Sequence, residues 1–398
     1  MRQVPSDVRR RELGGSDPID RRLGVPTPPS PLTWLLSLLR TRSALGLAPS
    51  LTPAVIFLPV GALLGPHVLG WITPRLLDRL SLAVTIALAV IGVLVGTALG
   101  REIRSAARLF VAASIESAVT TLVVAAATAY FVTATGVPLD ASLLVFALAI
   151  GLCASASSAT SAHPDSEPAA AVVTRIADLD DVLPIAAVVL VFALMAAPTA
   201  SVAVLMAVAP IVIGLAVGVV GWLLFERAES GPERVLFVLS ALALAGGAAA
   251  YLHTSPLAVG LVAGVTWTLV PGRADRVVES DLRRVQHPLV VLLLVTAGAS
   301  ASVSAAAIWL LPPYLLCRMA GKVMGAWLCA PLVDVRPADL AAFLMPPGVL
   351  AVAFALNFSQ VMPAASGQML LSTVAIGTAA FELFALAVVP HWRAEARE

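Results

Sequence analysis

The sequence predicts an all-α polytopic membrane protein with about 12 transmembrane helices, arranged as two inverted repeats. The first reason is composition, because hydrophobic residues make up 59% of the chain and charged residues only 12%, whereas about a quarter of an ordinary soluble domain is charged. The second reason is a mean hydropathy of +0.94. The third is a pair of interruptions, in the fourth and eleventh apolar segments, of the kind that inverted repeats place in corresponding positions.

The apolar segments can be followed along the chain. A hydrocarbon core roughly 30 Å thick requires about 20 apolar residues per spanning helix. The segments that meet this requirement are 52–66 with its continuation to 73, 80–99, 107–134, 139–162, 169–197, 201–225, 234–252, 255–272, 286–303, 305–332, 338–361 and 366–390.

The two ends of the chain are more polar than the segments between them. The first residues are rich in Pro, Ser, Asp and Arg and contain no apolar run that could form the core of a signal peptide. The next stretch alternates apolar residues with two arginines, which favours an interfacial helix. The predicted regions are a disordered cytoplasmic tail at 1–31, an interfacial segment at 32–50, a transmembrane domain at 51–392 and a short cytoplasmic tail at 393–398.

The distribution of arginine predicts the orientation, since basic residues are retained on the cytoplasmic side. With both termini inside, the outer loops hold only Arg75 and Arg79. The inner loops, their flanking span ends and the C-terminal tail hold Arg101, Arg104, Arg108, Arg175, Arg227, Arg234, Arg273, Arg276, Arg283, Arg284, Arg336, Arg393 and Arg397. We therefore expect a multi-pass protein of the cytoplasmic (inner) membrane with both termini in the cytoplasm.

Several ionisable residues fall inside the predicted spans. Each costs about 2.5 to 3.5 kcal/mol at a helix centre on insertion scales, and such residues are functional candidates by default. They are Glu116 in the third span, Asp178, Asp180 and Asp181 in the fifth, Arg318 and Lys322 in the tenth, and Glu382 in the twelfth.

Lys322 is distinctive because it is the only lysine in the chain, while every other basic residue is arginine. An ammonium loses its proton readily when it is desolvated, whereas a guanidinium stays charged. A site that must gain and lose a proton would therefore use lysine. The alternative is a snorkelling side chain with no role in such a site.

Asp180 and Asp181 project about 100° apart on a helix, so one can face a partner while the other faces a cavity. Two carboxylates this close cannot both ionise cheaply without a cation, which makes a proton and a metal cation compete for the same oxygens. Asp178 lies on roughly the same face as Asp181 and receives no firm role. Alternatively, the acids only pair with basic side chains and lock the bundle.

The two interruptions suggest a repeated core. The fourth span ends in the small, hydroxylic run ASASSATSAHPDSEP, and the eleventh is broken by MPPG at Met345 to Gly348. We pair spans three to five with spans ten to twelve, which gives core repeats of about 107–197 and 305–390. Unwound backbone at such breaks leaves carbonyl and amide groups free to hold a cation.

Several stretches together resemble the monovalent cation:proton antiporter-2 superfamily of sodium/proton and potassium/proton exchangers, over roughly residues 50–390. The most specific is LDDVLPI, which resembles the double-aspartate motif of the electrogenic sodium/proton branch and is followed downstream by an intramembrane lysine. The stretches are VGALLGPHVLG at 60–70, GTALGREI ending the second span, ATSA at 159–162, LDDVLPI at 179–185, TSPLAVGLVAGV at 254–265 and GKVMGAWL at 321–328.

The resemblance implies a sodium/proton antiporter-like fold with crossed discontinuous helices, and a homodimer in which a core domain moves against a dimerisation domain. It implies that Asp181 is the main carboxylate for protons and for Na⁺ or Li⁺, with K⁺ as a further candidate, and that Asp180 is paired with Lys322. Thr160 and Ser161 would line the break, with Ser158 beside them. Where the family commonly has Arg and Glu around a glycine, this chain has Pro347, Gly348 and Val349.

Other functions are also considered. A sodium-coupled solute symporter of similar fold and a transporter-like protein without transport activity remain alternatives. We expect no enzymatic activity, because an intramembrane aspartyl hydrolase draws its two acids from different helices. We also expect no cofactor, no nucleotide partner, because no GxGxxG follows a plausible strand, and no nucleic-acid partner, because no basic soluble domain is present.

Overall fold

The computed structural model describes residues 53–103, 107–158, 168–196, 199–270 and 274–395, and within these ranges the regular elements are all helices. In chain order they are α1 Pro53–Leu64, α2 Pro74–Glu102, α3 Ala107–Thr133, α4 Ala141–Ser155, α5 Pro168–Leu179, α6 Val182–Ala196, α7 Ala200–Arg227, α8 Gly231–Tyr251, α9 Pro256–Leu269, α10 Ala274–Ser300, α11 Ala305–Val333, α12 Pro337–Leu344, α13 Gly348–Ser359 and α14 Ala364–Glu395.

Each predicted apolar segment coincides with a helix or with two helices separated by a short break. The fifth segment is divided into α5 and α6, and the eleventh into α12 and α13. The predicted tail at 1–31 and the interfacial segment at 32–50 lie outside the described residues, as does 396–398 at the other end. The all-helical, polytopic fold class is therefore confirmed.

Fewer helices than the predicted number are individually long and apolar enough to cross a membrane. Within the described ranges six helices qualify, and the pair α12 and α13, which is bent by 55° at its break, brings the number to 7. The shorter apolar helices include α1, α4 and α9. A helix rises 1.5 Å per residue, so these short helices cannot cover a roughly 30 Å core alone.

Helix starts are fixed by polar caps at several of the turns. Thr73, Thr199, Ser230 and Ser304 each accept a hydrogen bond from a backbone N–H in the first turn of the following helix. Asp140 caps α4 in the same way, and the hydrogen bonds donated by the Leu143 amide and the Ser142 hydroxyl hold the pKa of this exposed carboxyl below its usual range. Such caps satisfy amide groups that have no partner inside the helix.

Glycines allow α2 and α9 to pack with their backbones in contact. A Cβ added to Gly92 or Gly96 would meet the backbone of Leu257 or Leu261, and a Cβ on Gly260 or Gly264 would meet the backbone of α2. Small residues permit this close approach between helices in a membrane, where packing rather than the hydrophobic effect drives association.

The buried side chains form two clusters. The larger runs through α3–α6 and α11–α14, which we call the core group, and also includes residues of α1 and α10 and one face of α2 and α9. The smaller lies between α2, α7, α8 and α9, which we call the flanking group. In the flanking group the Trp267 indole stacks edge-on against Phe225 and donates a 2.8 Å hydrogen bond to the Gly218 carbonyl. The helices that contain breaks therefore belong to the core group.

Candidate functional site

The breaks of the fourth and eleventh segments meet inside the core group. After α4 the chain is no longer helical at residues 156–158, and α12 and α13 are separated at residues 345–347. The Ser158 amide donates a 2.8 Å hydrogen bond to the Pro346 carbonyl. Gly348, which opens α13, has φ +66°, and a Cβ there would also collide with the Ser158 side chain. The two discontinuous helices thus touch through their unwound backbone.

Arg318 on α11 holds both breaks at once. Its Nη2 donates hydrogen bonds to the Ala156 carbonyl at 2.8 Å and to the Met345 carbonyl at 3.1 Å. The side chain is fully buried, and its guanidinium lies 5.3 Å from the centre of the Phe381 ring. The last carbonyls of a helix have no partner inside it and carry partial negative charge. A cation between the ends of α4 and α12 offsets both of these charges.

Glu382 on α14 lies at the N-terminal end of a helix, whereas Arg318 lies at two C-terminal ends. The Gly348 amide, at the start of α13, donates a 3.2 Å hydrogen bond to its Oε1 atom. The N-terminal end of a helix carries partial positive charge, so a carboxylate there is stabilising. Arg318 and Glu382 thereby bring a cation and an anion to the break where the chain itself has Pro347, Gly348 and Val349.

Lys322 lies one turn beyond Arg318 on α11 and is fully buried. Its Nζ atom donates to the Ser155 carbonyl and to the Ser157 hydroxyl, both at 2.5 Å. Glu116 on α3 is the third partner, with its Oε1 and Oε2 atoms 3.0 and 3.1 Å from Nζ. The ammonium is therefore held between α3, α11 and the C-terminal end of α4.

Glu116 is itself fixed in place. It is fully buried, and the Thr120 hydroxyl donates a 3.0 Å hydrogen bond to its Oε1 atom. Gly321 and Gly325 on α11 face Thr120 and Glu116, and a Cβ on either glycine would press against α3. The close approach of α3 and α11 brings the carboxylate and the ammonium together.

Asp180 and Asp181 occupy the break between α5 and α6, and their side chains are 0% and 1% exposed. The Lys322 Nζ atom lies 3.5 Å from the Oδ2 atom of Asp180. Within the described part of the chain, both carboxyl oxygens of Asp180 and the Oδ1 atom of Asp181 have no hydrogen-bond partner. Buried acceptors without partners are costly, and a proton or a cation would satisfy them.

The other predicted residues are distributed as follows. Asp178 is exposed on α5 and does not join the buried cluster. Ser158 lies at the contact between the breaks, half-buried. Thr160 and Ser161 fall outside the described residues, so their predicted position at the break stays a prediction.

Sequence reasoning missed some of the cluster. The sequence marks Glu116 only as one of several ionisable residues within the spans, yet it is the carboxylate nearest to the lysine. The partners Ser155 and Ser157 were not singled out, although the hydroxylic run at the end of the fourth segment was the available signal.

The cluster has more acidic than basic members. Its carboxyl groups are Glu116, Asp180, Asp181 and Glu382, and its cations are Arg318 and Lys322. Adjacent buried carboxylates such as Asp180 and Asp181 repel each other unless a proton or a cation lies between them. A cluster of this kind can take up protons or one small cation to balance its charge. Across the described ranges, no group of three or more His, Cys, Asp and Glu side chains forms a metal-binding site.

Comparisons with known proteins support the fold. A scan of protein-family models gives no match to the sequence, and a search of curated protein sequences gives none either. Among solved structures, the chain is similar to the sodium/proton antiporter MjNhaP1 from Methanocaldococcus jannaschii, at 15% identity and a TM-score of 0.60. The likeness covers 84% of this chain and 92% of that chain. At this identity it establishes a shared antiporter-like fold.

Proposed function

We propose that this protein is a secondary transporter that exchanges a monovalent cation, Na⁺ or Li⁺ with K⁺ as a further candidate, for protons across the cytoplasmic membrane. The observation that carries the proposal is the pair of buried aspartates with unpartnered oxygens at a helix break, 3.5 Å from a buried lysine. The fold shared with a sodium/proton antiporter supports it. We further propose that the chain belongs to the double-aspartate branch of the resembling superfamily.

In the proposed cycle, protons and the cation are alternative occupants of Asp180 and Asp181. A cation binding to the carboxylates expels the protons, because both species neutralise the same oxygens. Movement of the core group against the flanking group then opens the site to the other side of the membrane, as alternating access requires. More than one proton moves per cation if both aspartates release one.

The resemblance also supports three further proposals. Both termini lie in the cytoplasm, in agreement with the arginine distribution. The protein assembles as a homodimer. The two repeats, about 107–197 and 305–390, make up the moving core.

The activity can be measured with the full-length protein in proteoliposomes that contain a pH-sensitive dye. Addition of Na⁺, Li⁺ or K⁺ after acidification should cause dequenching, and Asp181→Asn should abolish it. Asp178→Asn is the matched control, because this exposed aspartate lies on the helix that leads to the break, and it should retain exchange. Absence of a cation-dependent signal between about pH 6 and 9, a range that covers the titration of perturbed carboxyl groups, would favour a protein without transport activity.

A solute symporter would give a different result in the same assay. Dequenching would then require an added organic solute together with Na⁺. This outcome would overturn the exchange proposal while leaving the shared fold intact.

A further inference from the structure

Lys322 lies closer to the carboxyl group of Glu116 than to that of Asp180, which suggests different roles for the glutamate and for the two aspartates. Resting on the proposed exchange function, we infer that Glu116 is the fixed counter-ion of Lys322, and that its hold on the ammonium leaves both Asp180 and Asp181 open to the transported cation. Glu116 is then a positioning residue, which acts on cation binding through Lys322.

The number of hydrogen-bond donors on Lys322 limits how many partners it can hold. A lysine ammonium has three N–H groups. The partners at hydrogen-bonding distance are the Ser155 carbonyl, the Ser157 hydroxyl and the Glu116 carboxylate. Asp180 is farther away, at 3.5 Å, and neither of its oxygens accepts a hydrogen bond from a described residue. The three N–H groups of the ammonium are therefore bonded to other acceptors, and none is left to donate to Asp180.

Glu116 is held in a fixed position beside Lys322. Glu116 accepts a hydrogen bond from Thr120 on its own helix, and Gly325 lies against it from α11. The glutamate and the lysine project from two helices whose backbones are in close approach, and both side chains are fully buried. The pair thus belongs to the α3–α11 contact, whereas the aspartates lie at the break between α5 and α6.

The charge of Glu116 determines which carboxylate Lys322 neutralises. With Glu116 ionised, the charge of Lys322 is balanced within the α3–α11 contact, and the aspartates are left as an unbalanced anionic pair. Without the glutamate charge, the ammonium would turn to Asp180 as its nearest remaining carboxylate. It would then compete with the transported cation for the same oxygens, and apparent cation affinity would fall.

Glu116→Gln tests this directly, because the amide keeps the volume and the bond to Thr120 but removes the charge. In proteoliposomes the KM for Na⁺ and Li⁺ should rise by about tenfold or more, with the maximal rate changed by less than about twofold, since ground-state cation binding is what is lost. Glu116→Asp retains the charge and should recover part of the affinity. Ser117→Ala, the neighbouring buried position on α3, is the matched control and should leave KM unchanged.

The decisive comparison is made in a Lys322→Gln background, where no ammonium is present to compete. There the added Glu116→Gln change should have little effect on KM. An equal rise in KM with and without Lys322, or an unchanged KM in Glu116→Gln alone, would overturn the inference. A variant that fails to fold is recognised by its thermal unfolding. If Glu116→Gln fails in this way, Glu116→Asp is compared with and without Lys322. A rise in KM that depends on Lys322 supports the inference, and an equal rise in both backgrounds overturns it. A wild type without any exchange would overturn the proposed function, and this inference with it.

Discussion

At the scale of single residues, Arg318 and Lys322 have different roles because a guanidinium and an ammonium differ in shape and in hydrogen bonding. A guanidinium stays charged when it is buried, and each of its terminal nitrogens carries two N–H groups. Arg318 uses one of these nitrogens, Nη2, to donate to the carbonyls of both Ala156 and Met345. An ammonium is a compact point charge, which suits the tighter site of Lys322 near Glu116 and Asp180. The single lysine of the chain is thus placed where its different chemistry matters.

Replacement of Arg318 by lysine should loosen the contact between the two breaks. A lysine side chain is shorter and has no atom at the position of Nη2, from which arginine donates to both carbonyls, so we expect it to lose at least one of the two bonds. A buried acceptor left without a partner costs about 1–3 kcal/mol in the free energy of unfolding. The thermal unfolding temperature of the purified protein should fall accordingly. Arg336→Lys is the control, because that side chain is exposed and its ion pair with Asp339 contributes little. Equal unfolding temperatures for the wild type and Arg318→Lys would contradict this role.

Sequence reasoning at this scale found the ionisable residues but not all of their partners. Lys322 stood out from composition alone, and the adjacent aspartates stood out from their apolar surroundings. The pairing of Glu116 with Lys322 joins positions 206 residues apart, which no local pattern can reveal. The carbonyl of Ser155 carries no sequence signal either, since every residue has a carbonyl.

At the scale of elements, the helices can be predicted from the sequence, but the contacts between the helix breaks cannot. The apolar segments were predictable because length and hydropathy are local properties. That the chain after α4 bonds to the α12–α13 break is a property of the fold. The same number of residues separates Glu116 from Arg318 and Asp180 from Glu382. This spacing is expected if α3 corresponds to α11 and the α5–α6 break corresponds to α14, as the proposed repeats require.

Gly348→Ala should disturb this contact more than an ordinary glycine substitution does. Its positive φ is unfavourable for alanine, and the added Cβ would collide with Ser158. We expect a loss of about 1–3 kcal/mol in the free energy of unfolding together with a lower exchange rate, measured by thermal unfolding and by the dye assay.

Gly247→Ala is the control for this substitution. That glycine lies inside α8, and a Cβ there would meet no atom within 4 Å. Alanine has the higher helix propensity, so this change should be neutral or slightly stabilising. A comparable loss of stability in both variants would show that Gly348 has no special role.

At the scale of the whole molecule, polar contacts join the core group to the flanking group at separate places along α2. Near the end of α2, Arg175 on α5 forms an ion pair with Glu102. Nearer the start of α2, the side-chain amide of Gln360 donates to the Thr85 hydroxyl at 3.5 Å. If the groups move relative to each other during exchange, these contacts must form and break.

Tethering the two groups tests that motion. Cysteines at positions 175 and 102, in a chain whose native Cys153, Cys317 and Cys329 have been replaced by serine, would be joined by a short, reducible thiol cross-linker. Exchange should stop on cross-linking and return on reduction. A pair at positions 336 and 339, which are in contact at the start of α12, controls for the reagent and should remain active. Undiminished exchange in the 175–102 cross-linked protein would exclude motion at this contact.

In the proposed exchange, protons and a small alkali cation compete for Asp180 and Asp181. The most direct measurement is proton release from the purified protein, in weakly buffered detergent solution, when Na⁺ or Li⁺ is added. We expect the wild type to release protons in a saturable, cation-dependent manner, and the Asp180→Asn/Asp181→Asn variant to release none. Equal release from both proteins, or cation binding by the wild type without proton release, would contradict the account.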